Sequence, residues 1–303
     1  MKEKILQTIN QSLNFSALNK DWQNTINLKL EKIKSSSLWQ EISLQAWLLD
    51  DKQILNLQEN LYLSLGNIYI WLAYTLYDQV LDNQQIHHLP LANFLLSQSL
   101  KNYYSVNLSL TWQNILEKVI LKMETANYWE IENCQKIKEF HSPKIPALSD
   151  HLNSSRYKSL AHCLPAIYLL LKYQSSSREE EINEIIALFS SLLLVRQIQD
   201  DLHDLEVDFS NRSLNLAIHF CLETSSKEIK SIKELKIQLY LTQTEIIKRL
   251  KQENKNCQIL LRANSVFKNN LYLNKAINSQ SEQIKIAQKK QETVKTILNY
   301  FKV

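Results

Sequence analysis

The feature of this sequence that most restricts its fold is the near absence of glycine. Of 303 residues, one is glycine and four are proline. β-Hairpins depend on glycine at turn positions with positive φ, whereas helices joined by short polar turns do not. No segment alternates apolar and polar residues for long. The sequence therefore predicts an all-α protein, and its apolar content of 45% is enough for a sizeable core.

Apolar periodicity and serine-rich boundaries predict helices along the whole chain. The predicted helices cover residues 2–14, 18–34, 38–48, 53–83, 90–103, 108–139, 149–173, 178–209, 212–222, 226–252 and 256–301, the last of them interrupted. Pro165 falls inside an apolar helical run and is expected to kink or break it. Because the composition does not shift along the chain, we expect residues 1–303 to form a single domain.

The net charge of +4 hides an asymmetry between the two ends of the chain. Residues 226–303 carry 16 Lys and Arg against 6 Glu, a charge of +10, which leaves −6 for residues 1–225. A basic segment can attract an anionic substrate, a membrane surface or nucleic acid, although a solvated lysine-rich helix face is the simpler interpretation. No aromatic-interleaved basic patch is present, so we expect no nucleic-acid partner, while peripheral membrane contact stays open.

The cysteines and the apolar stretches bear on location. The four cysteines are scattered without a Cys-x-x-Cys pair, which favours a reduced compartment. The first residues mix charges and lack the apolar run of a signal peptide. The longest apolar stretches, near residues 164–171 and 185–195, are too short and interrupted to span a bilayer. We therefore expect a cytoplasmic protein.

An acidic pair ends the apolar helix predicted for residues 53–83. Asp78 and Asp82 are four residues apart, so their carboxylates share one face about 6 Å apart. Acids at a helix C-terminus oppose the helix dipole at a cost of up to about 1 kcal/mol each, which a bound divalent cation would remove. Trp71 and Tyr74 lie on the same stripe. For this pair alone, a polar helix end is an equal alternative.

A second acidic segment is more informative. Asp200, Asp204 and Asp208 lie at i, i+4 and i+8, a ladder that climbs about 12 Å along one helix face. Like charges at this spacing repel and aspartate disfavours helices, so stability alone does not explain the pattern. Hard oxygen ligands suit magnesium, whose coordination is usually completed by water and substrate phosphates. A solvated acidic helix end is the alternative.

Both segments resemble the aspartate-rich motifs of class I isoprenoid synthases. Tyr77–Asp82 resembles the first motif, DDxxD, and Arg196–Asp208 resembles the second, which is DDxxD in prenyl diphosphate synthases and Asn-Ser-Glu-like in terpene cyclases. The nearest resemblance is to bacterial class 1 isoprenoid biosynthesis enzymes, which have segments similar to Leu89–Asn93 and Lys158–His162. The recognisable part covers about residues 60–220.

The resemblance implies an antiparallel helical bundle around a deep, central apolar cavity, with both motifs at its mouth. It implies an enzyme that ionises a prenyl diphosphate, of farnesyl to geranylgeranyl length or longer, with about three magnesium ions. The implied metal ligands are Asp78, Asp82, Asp200, Asp204 and Asp208. The implied diphosphate-binding bases are Arg156, Lys158, Arg196 and Arg212. The implied cavity walls, where aromatic faces can stabilise a carbocation, are Trp71, Tyr74, Phe189 and Leu193.

Departures from the family patterns keep several functions open. Gln79 replaces an aspartate of the first motif, which removes one negative charge and one possible magnesium ligand, and it is the main support for a non-catalytic partner subunit. The doubled acid made by Asp201 favours a prenyltransferase, elongating or head-to-head as in squalene and phytoene synthases. The missing Gly-Lys-Arg-Leu-Arg-Pro-like element for isopentenyl diphosphate favours a terpene synthase, which is the preferred interpretation. A homodimer stays open.

Overall fold

The structure is a computed structural model in which helices and turns account for the fold. It describes residues 2–15, 20–34, 55–83, 85–107, 109–137, 140, 145–173, 179–225, 228–264, 266–268 and 270–300. No strand occurs among these residues, which confirms the all-α prediction. The helix predicted for residues 38–48 lies outside them.

Twelve α-helices occur in the described part of the chain. They are α1 (Lys2–Phe15), α2 (Lys20–Lys34), α3 (Leu57–Asn83), α4 (Leu89–Val106), α5 (Leu110–Cys134), α6 (Leu148–Ser155), α7 (Leu164–Tyr173), α8 (Glu179–His203), α9 (Leu205–Ser210), α10 (Leu216–Thr224), α11 (Ile232–Ala263) and α12 (Leu271–Tyr300). Short 3-10 turns, Ile86–His88 and Leu160–Cys163, precede α4 and α7. Among these helices, none is long and apolar enough to cross a membrane.

The chain divides into two compact units. The first comprises Met1–Ile120 with Ala161–Ser177, and the second comprises Leu121–Leu160 with Arg178–Val303. Helix α5 is continuous across the boundary, so its two halves belong to different units. The prediction of a single domain stays a prediction.

In the first unit, the close packing of α3 against α4 explains the single glycine. The Gly66 carbonyl accepts a 2.6 Å hydrogen bond from the Ser99 hydroxyl of α4. A Cβ atom built on Gly66 would lie 2.9 Å from ring atoms of Tyr103, whose side chain is completely buried. Glycine is therefore needed here for the close approach of two helices, and its backbone conformation is ordinary.

Polar contacts tie α7 and the turn before it to α3 within the first unit. Glu59 accepts hydrogen bonds from the Tyr168 hydroxyl and the Lys172 ammonium group, both at 2.5 Å. The His162 Nδ1 atom lies 2.7 Å from the Asn67 Oδ1 atom, inside the apolar run of α3. These bonds fix α3 along its length, and α3 carries the first acidic motif at its end.

In the second unit, α8 is the buried central helix. Leu194, Val195 and Ile198 of α8 form an apolar cluster with residues of α10 and α11, including Ile246 and Leu250. A helix that is apolar on most of its surface is expected to be surrounded by others. The acidic motif follows directly after this buried stretch, so its backbone starts from a fixed position.

Two predicted boundaries were wrong for local reasons. The run predicted for residues 149–173 is interrupted by the turn of residues 156–159 and the 3-10 turn Leu160–Cys163. Helix α7 begins directly after it, with Pro165 in its first turn, where the missing N–H is harmless. The boundary predicted between residues 252 and 256 is absent because α11 continues to Ala263. Asn264 ends it, and its Oδ1 atom accepts the backbone N–H of Phe267 at 2.9 Å.

Candidate metal and diphosphate site

The first acidic motif lies in the last two turns of α3. Asp78 is exposed, and Asp82 follows one turn later, just before the helix ends at Asn83. The side chain of Asp82 lies outside the described part of the structure. Next to Asp78, the Tyr77 hydroxyl of α3 donates a 2.6 Å hydrogen bond to the Asn93 Oδ1 atom of α4. This bond holds the acidic end of α3 against α4.

The side-chain amide oxygen of Gln79 accepts no hydrogen bond within the described chain. This Oε1 atom is also buried. A buried polar oxygen without a partner is unfavourable, and a water molecule or a cation would relieve that cost. Amide oxygens are ordinary ligands of hard cations. The residue that departs from the family pattern therefore leaves a buried amide oxygen near the end of α3.

The two aromatic residues below Asp78 differ little in burial. Trp71 is partly buried and packs against the apolar cluster of the first unit. Tyr74 is also partly buried, and its ring meets the Tyr77 ring edge-on at 5.5 Å between centroids. Both rings are therefore partly accessible to solvent. Their role as walls of a substrate cavity stays a prediction.

The second acidic motif is helical with a bend at its centre. A helix was predicted over residues 178–209, but α8 ends at His203 and α9 begins at Leu205. Asp204, with φ −92° and ψ 5°, is the bend. The helical spacing survives because the backbone N–H of Asp204 bonds to the Asp200 carbonyl and that of Asp208 to the Asp204 carbonyl, both at 2.9 Å. The three acids thus follow one another at helical spacing across a bend.

The carboxylates of Asp200 and Asp204 are the free acids of this motif. Both residues are exposed, and neither side chain accepts a hydrogen bond within the part of the chain that the structure describes. Partial loss of solvent raises the pKa of Asp200, and the charge of Asp204 adds to this, while Arg196, His203 and Lys158 act in the opposite direction. A divalent cation between the two carboxylates would offset both unfavourable effects.

Asp201, adjacent in sequence, has a different environment. It is buried, and its two carboxylate oxygens accept hydrogen bonds from the Gln197 amide at 2.6 Å and the Leu216 backbone N–H at 2.7 Å. Burial raises the pKa of Asp201 to about 7. Because both of its oxygens accept hydrogen bonds, the Asp201 carboxylate joins α8 to the start of α10. The exposed aspartates of the motif are therefore Asp200 and Asp204.

Asp208 is partly committed to the same junction. Its Oδ2 atom accepts a 2.7 Å hydrogen bond from the Asn215 amide, which also donates to the Asp201 carbonyl at 2.9 Å. The Asn215 Oδ1 atom caps α10 by accepting the Ile218 N–H at 2.8 Å. Asn215 was not predicted from the sequence, where an asparagine before an apolar run signals only a helix cap.

Of the four predicted bases, Lys158 and Arg196 act on the charge of the second motif. Lys158 forms an ion pair with Glu130 at 2.5 Å, and its charge also lowers the pKa of Asp200 and Asp201. Arg196 lowers the pKa of Asp200 from one turn earlier on α8. Arg212 is exposed beyond α9 in a left-handed conformation with φ 58°. Glu130, the partner of Lys158, gave no sequence signal.

Arg156 is engaged elsewhere in the second unit. Its guanidinium forms a two-pronged hydrogen-bonded ion pair with Glu253, a carboxylate that is 1% exposed, and donates to the Ser191 hydroxyl at 3.4 Å. The Arg249 Nε atom lies 3.1 Å from the same carboxylate. No local pattern could reveal this network, because Glu253 lies 97 residues from Arg156. Arg156 is thus held in an ion pair with Glu253, and its role in diphosphate binding stays a prediction.

The second pair of predicted cavity residues lies on α8. Phe189 is buried and Leu193 is half-buried. Two clefts of the second unit are lined by other residues: one of about 550 Å³ beside Arg156, and one of about 540 Å³ between α11 and α12. A role for Phe189 and Leu193 in a central cavity stays a prediction.

The donor set fits magnesium that is completed by other ligands. Among the described side chains, no group of three His, Cys, Asp or Glu converges closely enough to hold a metal alone. Magnesium usually takes one or two carboxylates and fills its remaining positions with water and phosphate oxygens. Asp200 and Asp204, one turn apart and without hydrogen bonds, provide such a pair.

Comparison with known proteins identifies the fold. No family model matches the chain, and no curated protein matches it in sequence. Among solved structures, a putative geranylgeranyl pyrophosphate synthase from Corynebacterium glutamicum is 11% identical with a TM-score of 0.63, covering 94% of each chain. The T. brucei farnesyl diphosphate synthase is 12% identical with a TM-score of 0.62, covering 94% of this chain and 97% of that one. Its complex with homorisedronate gives a TM-score of 0.61 at 11% identity, over 93% of this chain and 97% of that one. The chain has the all-α fold of these prenyl diphosphate synthase structures.

Proposed function

We propose that this protein is a magnesium-dependent enzyme that ionises a prenyl diphosphate, of farnesyl to geranylgeranyl length or longer, and releases diphosphate. The observation that carries the proposal is the state of the second motif. Asp200 and Asp204 hold two exposed carboxylates one turn apart without hydrogen bonds, next to Asp201, whose carboxylate is fully used. Partial desolvation of Asp200 and its repulsion by Asp204 raise the pKa of Asp200, and a raised pKa in an acidic pair is typical of a site that takes a cation.

The ligands would be the acids of both motifs, namely Asp78, Asp82, Asp200, Asp204 and Asp208. Magnesium, when bound, neutralises negative charge that develops on a departing diphosphate. Asp208 is proposed to act through its carboxylate, one oxygen of which accepts the Asn215 amide. The Asn215 bond also orients that carboxylate, so its geometry does not depend on the ion.

Three of the four bases are proposed to bind phosphate oxygens, and the fourth, Arg156, is proposed to position the turn that carries Lys158. Lys158 is held by Glu130 and influences Asp200, so it is suited to contact a phosphate oxygen near the second motif. Arg196 lies beside Asp200, and Arg212 follows the motif; both are proposed to bind phosphate. Arg156 is bound by Glu253, so it orients the turn of residues 156–159 that carries Lys158.

The carbocation that remains after diphosphate leaves must be kept from water. Trp71 and Tyr74 are proposed to border it with their ring faces, and Phe189 and Leu193 with apolar surface. We place a terpene synthase reaction on a single substrate first, because the chain lacks the Gly-Lys-Arg-Leu-Arg-Pro-like element for isopentenyl diphosphate.

A prenyltransferase is the second candidate. The solved structures with this fold are named as geranylgeranyl and farnesyl diphosphate synthases, which favours transfer to a second prenyl unit. The two candidates differ in what they consume: a transferase needs isopentenyl diphosphate or a second copy of the substrate, and a terpene synthase needs neither.

The test is diphosphate release from geranyl, farnesyl and geranylgeranyl diphosphate, each with and without magnesium and isopentenyl diphosphate, with products identified by mass spectrometry. Asp204→Asn keeps the size of the side chain and removes its charge, and we expect it to lower kcat at least about a hundredfold. The matched control is Glu206→Gln, an exposed acid two residues away that pairs with Lys236, which should leave the rate unchanged.

Each outcome is informative. A terpene formed from one substrate supports the synthase, and a longer diphosphate formed only with isopentenyl diphosphate supports the transferase. If no substrate combination releases diphosphate, the chain is a non-catalytic protein with this fold. If diphosphate is released and Asp204→Asn is as active as the control, the Asp204 carboxylate does not hold a catalytic metal ion.

A further inference from the structure

The outer face of α11 combines basic and apolar residues over most of its length. The helix buries Leu235, Ile246, Leu250 and Leu261 on one side. On the opposite side, residues spaced by three or four are exposed from Lys233 to Arg262, a distance of about 44 Å. This face therefore has the length of an extended contact surface.

The charge on this face is strongly positive. Its basic residues, which outnumber its two acids Glu234 and Glu245, are Lys233, Lys248, Lys251, Lys255 and Arg262. Lys248 lies 3.8 Å from Glu245, and the Glu234 carboxylate accepts the Lys230 backbone N–H. Lys255 has no hydrogen bond or ion pair within the described chain, so this face keeps uncompensated positive charge.

The same face exposes large apolar side chains. Ile237 and Leu241 are 55% and 63% exposed on the N-terminal half of α11, and Ile259 is 55% exposed near its C-terminal end. Ile286 of the neighbouring helix α12 is 53% exposed. Aliphatic side chains gain nothing from facing water, so covering these residues with an apolar partner would be favourable.

A basic cleft lies in the middle of this face. It has a volume of about 540 Å³ between α11 and α12, and its charged lining residues are Lys248, Lys251, Lys255 and one acid, Glu292. Lys251 donates to the Gln288 amide oxygen, which ties the two helices together at the cleft. The three ammonium groups outnumber the single carboxylate, whose Oε1 atom accepts the Gln288 amide N–H, so the cleft keeps net positive charge that suits a phosphate group.

We propose that this face of α11 binds the surface of an anionic membrane. The basic cleft receives the phosphate of an anionic lipid headgroup, and Ile237, Leu241 and Ile259 enter the boundary between headgroups and acyl chains. The helix lies parallel to the membrane plane, as basic helices with an exposed apolar stripe do. Nucleic acid is less suited, because exposed aliphatic residues add nothing to phosphate recognition. The inference does not rest on the proposed reaction.

The test is co-sedimentation of the whole protein with vesicles of phosphatidylcholine alone or of phosphatidylcholine with phosphatidylglycerol. We expect binding only to the anionic vesicles, and weaker binding at high ionic strength. The triple variant Lys248→Gln, Lys251→Gln, Lys255→Gln should bind about a hundredfold more weakly. The matched control is Lys4→Gln, Lys20→Gln, Lys101→Gln, three exposed lysines of the first unit, which should bind as the parent does.

A second pair of variants tests the apolar part of the surface. Leu241→Ser should weaken binding to anionic vesicles, and Leu28→Ser, at a site 68% exposed in the first unit, should not. Equal binding by both lysine triple variants would overturn the proposal. Binding that resists Leu241→Ser but is abolished by inorganic phosphate would assign the cleft to a soluble anion instead, and binding to RNA in preference to vesicles would also overturn it.

Discussion

Asp201 shows how a buried acid can hold two helices together at a cost that depends on pH. Its carboxylate accepts one bond from its own helix, α8, and one from the first N–H of α10. Its pKa is raised from 3.8 to about 7, because the effect of burial is larger than the opposing effects of the Lys158 charge and of these two hydrogen bonds. The junction is therefore most favourable when the carboxyl is protonated.

We expect Asp201→Asn to change the pH dependence of stability. For an acid with a raised folded-state pKa, the stabilising contribution is complete below pH 4 and is lost as pH rises towards 7. Each unit of pKa difference removes about 1.4 kcal/mol from the free energy of unfolding. Asparagine can still accept the Leu216 N–H and cannot ionise. The variant should gain stability relative to the parent as pH rises from 4 to 8.

The measurement is the free energy of unfolding in urea at several pH values for both proteins. Asp150→Asn, at an exposed acid of α6, is the control and should leave the pH dependence unchanged. A constant difference between Asp201→Asn and the parent across this range would show that the Asp201 carboxyl is not desolvated.

At the scale of helices, α6 and α10 meet through two buried histidines. The Nδ1 atoms of His151 and His219 are 3.0 Å apart, and the His151 Nε2 atom lies 3.7 Å from the Cys134 sulfur. Burial lowers the pKa of both imidazoles, and for His151 the neighbouring His219 and Lys158 lower it further. The neutral pair is thus part of the contact between these helices.

We expect acidification to weaken this contact. A histidine whose folded-state pKa is lowered contributes stability that is present above pH 6.5 and is lost as pH falls below it. The double variant His151→Gln, His219→Gln should therefore lose less stability than the parent between pH 7 and pH 5, although it starts lower. Asp201 changes stability in the opposite direction over this range, but it is common to both proteins and cancels in the comparison.

Thermal unfolding at each pH, followed by circular dichroism, makes this comparison. His87→Gln, at an exposed histidine, should behave as the parent. If the double variant and the parent lose equal stability on acidification, the histidines are accessible to solvent and do not join the two helices in the neutral form.

The helices were predictable to within a few residues because their apolar periodicity is local, but their breaks were not. The prediction of one helix over residues 178–209 was wrong at Asp204, where α8 ends, although the i to i+4 spacing of the acids was retained. Similarly, Asp200 and Asp201 are adjacent aspartates in the same predicted helix, so the local sequence does not distinguish their environments. Only the packing of Leu216, fifteen residues later, determines that one carboxylate is buried and the other is exposed.

At the scale of the whole molecule, helix α5 contributes residues to both units. Its first half, with the fully buried Trp112 and Leu116, belongs to the core of the first unit, and its second half, with Met123 and Ala126, belongs to the second. Helix formation is cooperative, so a continuous helix is more stable than two separate halves. Unfolding of either unit is therefore expected to destabilise the other through α5.

We accordingly expect a single cooperative unfolding transition, as the prediction of one domain over residues 1–303 requires. Five of the six tryptophans lie within residues 1–120, so in a Trp129→Phe variant fluorescence reports the first unit alone, whereas circular dichroism reports both. The two signals should give the same urea midpoint. Leu116→Ala, which opens a cavity in the first unit, should lower both midpoints together, at a cost of about 2–5 kcal/mol. If fluorescence shifts while part of the helical signal keeps its original midpoint, the units unfold independently and the chain has two domains.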